Sequence, residues 1–143
     1  PAVPPGAVWM DVPLICTGYC SCQKCTGWKR NWRGKPVYAY GRNKGKPKVV
    51  GLTASGVMAK KGTIAADTKF FPFGTRMFVP GYGYGVVEDR GGAIKGKRLD
   101  LYFSSHKAAL TWGKQIRMVR VLVHPRLPDR AATAERSRKS PGR

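Results

Sequence analysis

The sequence predicts a small, mainly β fold, a six-stranded barrel with one short helix. Three observations lead there. Six short β-forming runs are separated by turns rich in Gly and Pro, of which the chain has 18 and 11. A single stretch carries both a helix start and a helix stop. The 143 residues, 42% of them hydrophobic, suffice for one core but not for a catalytic domain plus a cofactor module.

Residues 1–13 hold Pro1, Pro4, Pro5 and Pro13, a density that no helix or central strand tolerates, so an extended arm is expected there. Residues 14–48 form a basic lead-in that contains all the cysteines and is expected to pack on the barrel. The barrel itself is expected over 49–124, from β runs at 48–53, 63–66, 76–79, 85–89, 98–103 and 116–123. Alternation in the fifth run puts Leu99, Leu101 and Phe103 on one face and Asp100 and Tyr102 on the other. The helix is expected over 105–112, with Ser105 as its cap and Gly113 as its stop. Beyond it, residues 125–143 carry six Lys/Arg and almost no large apolar side chain, which predicts a disordered basic tail.

The charge is lopsided: 27 Lys+Arg against 7 Asp+Glu, a net +20. Such a field concentrates polyanions, which leaves nucleic acid, an anionic membrane surface and an acidic wall polymer as partner classes. No stretch approaches the ~20 apolar residues of a membrane helix, so no membrane span is expected. Trp28, Trp32, Tyr38 and Tyr40 interleave with Lys29, Arg30, Arg33, Lys35 and Arg42, a mixture that suits single-stranded nucleic acid and equally a solvated basic face.

Cys16, Cys20, Cys22 and Cys25 fall within ten residues. They read as two disulfides or structural thiols in a loop-rich turn, or as a four-thiolate zinc site, although only Cys22 and Cys25 have knuckle spacing. His106 and His124 lie far off in sequence, and no nucleophilic cysteine motif joins them.

The acidic residues are more informative. Asp67 closes the run 63–66, Asp89 ends the run 85–89 ahead of Gly91 and Gly92, and Asp100 sits within the run 98–103. A lone strand-end Asp usually binds nearby backbone N–H groups. Three of them, bordered by Gly-rich loops that leave room for a ligand, point to a site.

These residues resemble a known family, the 3D domain, named for three aspartates. The resemblance rests on 51–56 (Gly-Leu-Thr-Ala-Ser-Gly), 62–67 (Gly-Thr-Ile-Ala-Ala-Asp), 73–75 (Phe-Gly-Thr), 81–85 (Gly-Tyr-Gly-Tyr-Gly), 88–96 (Glu-Asp-Arg-Gly-Gly-Ala-Ile-Lys-Gly) and 98–102 (Arg-Leu-Asp-Leu-Tyr). It covers about half the chain, and the three aspartates are spaced 22 and 11 residues apart as in the family. Arg90 departs from the small or neutral residue expected beside Asp89. The resemblance implies a double-psi β-barrel and a murein lytic transglycosylase, similar to the small muralytic enzymes of spore formers and to membrane-bound lytic transglycosylase A. Such an enzyme cleaves the MurNAc-β-1,4-GlcNAc bond and leaves a 1,6-anhydro-MurNAc end. Asp100 is then the acid/base and Asp67 and Asp89 its supports. Peptidoglycan glycan strands are the expected partner, with anionic wall polymers beside them, and no specific nucleic acid. Export to the cell wall or periplasm follows from that substrate.

The chemistry sets further expectations. A glycosidic oxygen leaves only when protonated, so one carboxyl must hold a proton. Two carboxylates ~6 Å apart at an effective dielectric of ~20 repel by roughly 2.8 kcal/mol, enough to raise the later-titrating one by about two pKa units. Asp67 and Asp89 would act in that sense on Asp100, and Lys95 or Arg90 in the opposite one. Thr53, Ser55, Lys95 and Tyr102 are candidate glycan contacts, and Tyr82 and Tyr84 are either stacking platforms or barrel aromatics. No cofactor is expected and no metal is assigned to the site. A non-catalytic wall-binding module on the same barrel is the alternative, and a basic nucleic-acid binder a more distant one.

Overall fold

Alternating side chains along six strands build the core of the molecule, a computed structural model that describes residues 3–124. The expected basic tail, 125–143, lies outside the described residues. In chain order the elements are β1 (Val8–Tyr19), α1 (Gln23–Thr26), β2 (Trp28–Arg30), β3 (Pro36–Tyr38), β4 (Thr63–Ala66), β5 (Arg76–Val79), β6 (Gly83–Asp89), β7 (Arg98–Tyr102), α2 (His106–Trp112) and β8 (Lys114–Val123).

Six of the strands close a barrel in the order β1-β7-β4-β6-β5-β8, while β2 and β3 form a separate hairpin. Two barrel pairings are parallel, β1 with β7 and β4 with β6. An up-and-down barrel has only antiparallel neighbours, so the crossed connections of the expected double-psi architecture account for the sheet. Leu14, Cys16, Ile64, Met77, Val79, Val87, Leu99, Leu101, Val119 and Val121 fill the interior, each 2% exposed or less. Tyr82 joins them, 7% exposed, and its hydroxyl is satisfied by donating to the Tyr102 carbonyl and accepting from the Gly62 N–H.

The count of six strands agrees with the sequence reading, but one member differs. The run 48–53 forms no strand; Leu52 makes only an isolated bridge to Met58. The sixth barrel strand is β1, which crosses the boundary drawn at residue 13 between arm and lead-in. Pro13 is tolerated because β1 pairs with β8 from Val8 to Thr17 but with β7 only from Ile15 to Tyr19. At Pro13 one side of the strand therefore needs no donor, as at a sheet edge. The helix begins and ends as expected: Ser105 Oγ accepts from the Ala108 N–H, and Gly113 closes it at φ 68°.

Candidate functional site

The alternation that sends Leu14 and Cys16 inward sends Thr17 and Tyr19 to the outer face of β1. Beside it, β7 sends Leu99 and Leu101 inward and presents Asp100 outward. The register sets Thr17 opposite Asp100. Across β7 lies β4, whose Ala65 is opposite Asp100 on one side and Asp89 of β6 on the other. Two inter-strand steps put the Cα atoms of Asp100 and Asp89 ~10 Å apart with only a methyl group between them. The pairing of β4 with β6 shifts register between Ile64 and Ala65. Such an irregularity re-aims the side chains beside it, and it falls next to Asp89.

Both carboxylates line a cavity of about 430 Å³. Its walls come from the barrel (Tyr19, Ala65), the loop after β6 (Arg90, Gly91, Ile94) and the lead-in (Lys24, Cys25, Tyr38, Tyr40, Lys48). The volume lies within the range of small-molecule sites. A larger cavity of about 550 Å³, lined by Trp9, Tyr84 and Glu88, holds a single carboxylate. That carboxylate already accepts from Thr63 Oγ1 at 3.1 Å.

The two aspartates of the first cavity are held differently. Burial lifts the Asp100 carboxyl above the ordinary carboxylate range, and nearby Asp89 adds to the rise; the Thr17 hydroxyl and the Arg98 cation oppose it. The leading cause is thus desolvation rather than the like-charge repulsion expected from the sequence. Thr17 Oγ1 stands 3.0 Å from Asp100 Oδ1 and 3.2 Å from the Leu99 carbonyl, so its one proton can go to either. Asp89 is held as an acceptor by three donors: the Tyr19 hydroxyl at 3.0 Å, the Ala54 N–H at 3.0 Å and its neighbour Arg90 N–H at 2.9 Å. Burial and Asp89 together raise the Tyr19 phenol, which therefore stays a donor.

Asp67 is elsewhere. It is 8% exposed and absent from the cavity wall, accepting the Gly96 N–H at 3.0 Å and the Lys69 N–H at 3.1 Å. These two bonds, chiefly the first, hold its carboxyl below the ordinary range. It pins the loop that runs from Asp89 into β7.

The other sequence candidates also divide. Thr53 is buried, sharing a hydrogen bond with Ser55 Oγ at 3.1 Å and accepting from the Val57 N–H, and neither residue lines the cavity. Lys95 is exposed, outside the wall. Tyr102, 9% exposed, lies beneath it, its ring edge-on to Tyr19 and its hydroxyl accepting from Ser21 Oγ. Tyr82 is a barrel aromatic, whereas Tyr84 is 73% exposed.

Thr17, Tyr19 and Lys48 were missed by sequence reasoning. Lys48 Nζ donates to the Thr26 carbonyl at 2.8 Å over the Tyr38 ring; burial lowers its pKa and Asp89 opposes that. The one available signal was the alternation of Leu14 and Cys16 with Thr17 and Tyr19, hidden behind the preceding prolines.

Comparison with known proteins adds three findings. Residues 62–124 match the family model described as the 3D domain. Two curated relatives come from Bacillus subtilis (strain 168): the cell wall shaping protein YabE, 37% identical over 76 residues, and the cell wall-binding protein YocH, 38% identical over 78. The matched regions are 50% and 52% of this chain but only 19% of YabE and 27% of YocH, so the chain spans a fifth to a quarter of those relatives. The structure of E. coli MltA with bound chitohexaose aligns at 26% identity and a TM-score of 0.44, covering 50% of this chain and 27% of MltA.

Proposed function

We propose that the chain, whose residues 62–124 match the 3D domain model, acts on the cell wall as a lytic transglycosylase. It would cleave the MurNAc-β-1,4-GlcNAc bond of peptidoglycan glycan strands and close a 1,6-anhydro ring on the muramoyl end. The observation that carries this reading is the placement in one cavity of a half-buried Asp100, whose carboxyl burial shifts upward, and an Asp89 held by three donors.

In the first half-reaction the Asp100 carboxyl gives its proton to the glycosidic oxygen as the C1–O bond breaks. Positive charge grows on C1 and the ring oxygen, and the Asp89 carboxylate, fixed by its three donors, supplies a preorganised negative field across Ala65. In the second half, the Asp100 carboxylate takes the proton of the muramoyl C6 hydroxyl while its oxygen bonds to C1. That nucleophile is within the same sugar, so no second base and no bound water are needed.

Thr17 suits a group that must be acid and then base. With Asp100 protonated, its hydroxyl donates to the Leu99 carbonyl and can accept from the acid; with Asp100 ionised, it turns to donate to Oδ1. Asp67 is a positioning residue that fixes the loop leading into β7. Lys24, Lys48 and Arg90 around the cavity suit the carboxylates of stem peptides. Ser55 and Lys95, exposed beyond the cavity wall, would contact glycan there, whereas the buried Thr53 holds the turn that carries Ser55.

The names of YabE and YocH support a role at the wall and an exported location. That of YocH also favours a second reading, a wall-binding module without catalysis. Digestion of purified sacculi followed by mass spectrometry of the soluble products separates the two. The catalytic reading expects anhydro-muropeptides that vanish with Asp100→Asn; reducing-end products would mean hydrolysis, and retention on sacculi without products would mean binding alone.

A further inference from the structure

The cysteine-rich turn follows β1 and His106 follows β7, and because these strands run parallel with Tyr19 opposite Tyr102, three thiols of the turn meet the histidine at one end of the barrel. Cys22 Sγ lies 3.2 Å, Cys25 Sγ 3.4 Å and Cys20 Sγ 3.9 Å from His106 Nδ1, and Cys20 and Cys25 are 3.8 Å apart at sulfur. All four ligand atoms lie within 4.8 Å of one another. Cys16 takes no part: it is buried inside the barrel against the Leu14 carbonyl. That removes both the four-thiolate site and the pair of disulfides considered from the sequence.

We propose that Cys20, Cys22, Cys25 and His106 bind one zinc ion, and that this ion ties the wall of the cavity to the helix α2. A tetrahedron with Zn–S of ~2.3 Å and Zn–N of ~2.0 Å has sulfurs ~3.8 Å apart and sulfur to nitrogen ~3.5 Å apart. The observed separations sit around those values. Three thiolates and one imidazole are a recognised structural zinc set, closed to a fifth ligand. A disulfide would use only two of the three thiols and would leave no role for the imidazole nitrogen on which all three converge.

The backbone is already shaped for this. The Cys22 N–H points at Cys20 Sγ at 3.4 Å, and Cys22 heads the single turn α1. Gly27 ends that turn at φ 60°, a conformation other residues rarely adopt, and a Cβ there would meet the Tyr40 ring at 2.8 Å. Trp28 Nε1 donates to the Ser21 carbonyl at 2.8 Å, and Thr26 Oγ1 to the Cys22 carbonyl at 2.9 Å. On the other side, His106 is the first residue of α2, fixed by the Ser105 cap. A short turn with little apolar surface to bury holds its shape through metal ligation rather than through a core.

The consequence is local. Cys25, Thr26 and Gly27 line the cavity and Ser21 donates to Tyr102, so the ion would set the position of the lead-in wall against Asp89 and Asp100. The proposal does not depend on the reaction performed there.

The test is metal analysis of the full chain, purified under reducing conditions and reconstituted with zinc. One zinc per chain is expected, with the cobalt-substituted protein showing thiolate-to-cobalt charge transfer and intense tetrahedral d–d bands. His106→Gln should weaken zinc in chelator competition at least tenfold, and Cys22→Ser further, whereas Cys16→Ala should keep the wild-type stoichiometry. Zinc should also shield three thiols of the wild-type chain from alkylation, a readout that survives if a variant misfolds. Less than half an equivalent of zinc after reconstitution, an octahedral cobalt spectrum, or thiols alkylated equally fast with and without zinc would each overturn the proposal.

Discussion

Replacing Thr17 by Val keeps the shape of the side chain and removes the hydroxyl that faces Asp100. In the ionised state that hydroxyl donates at 3.0 Å to a carboxylate, a contact worth ~1.5–3 kcal/mol. In the protonated state it loses only a neutral hydrogen bond, worth ~0.5–1.5 kcal/mol. The difference, ~1–1.5 kcal/mol, falls on the ionised form and makes the variant's Asp100 hold its proton about tenfold more tightly. If Asp100 must be protonated for the first half-reaction, the high-pH limb of the rate of muropeptide release moves up by roughly one pH unit. Release of soluble products from sacculi across a pH series is the assay, with Thr17→Ser as the control that restores the hydroxyl and the wild-type limb. A Thr17→Val profile lowered equally at every pH, with an unmoved limb, would refute the assignment of Thr17 to Asp100 and leave it a packing role only.

Three further outcomes follow from the same geometry. Asp67 and Asp100 should affect stability with opposite signs: the Asp67 carboxyl is held low in the folded state, so its contribution is present at neutral pH and is lost as pH falls through its folded value, whereas Asp100 is raised and its contribution is lost as pH rises. Thermal melts should therefore show Asp67→Asn less stable than wild type at pH 7 with the gap closing in acid, and Asp100→Asn at least as stable as wild type at pH 7; the reverse order would contradict both assignments. Tyr19→Phe removes one of three donors to Asp89 and should slow product release about tenfold, as a charge-assisted bond of ~1.5 kcal/mol requires, without moving the pH limb set by Asp100. Gly85→Ala would bring a methyl group to 2.6 Å from Ile64 Cδ1 and 2.7 Å from the Gly62 carbonyl, costing about 1–3 kcal/mol in chemical denaturation, and a variant as stable as wild type would mean that β4 and β6 are not packed this closely.

Much of this was legible from the residues, for identifiable reasons. Strands β4 to β8 announce themselves by short β-forming runs between glycines, and the alternation in β7 alone places Asp100 on the face opposite Leu99 and Leu101. The cap residue Ser105 and the stop Gly113 bound α2 in the same way. Strand β1 was hidden because its start is crowded with prolines, whose meaning depends on which side of the strand has a neighbour. Since β1 supplies Thr17 and Tyr19, half of the polar contacts to the two cavity aspartates went unseen with it. His106 could not be linked to the cysteines from spacing alone, because 81 residues and four barrel strands separate it from Cys25. The cause of the high Asp100 pKa was also beyond the residues themselves, because burial is a property of the assembled face.

The most direct test of the account is to digest sacculi in ¹⁸O-labelled water and weigh the new muramoyl ends. Intramolecular attack by the C6 hydroxyl predicts anhydro ends, about 18 mass units below their hydrated counterparts and carrying no label, with their formation abolished in Asp100→Asn. Reducing ends that carry one ¹⁸O would show that water is the nucleophile and would contradict the central claim.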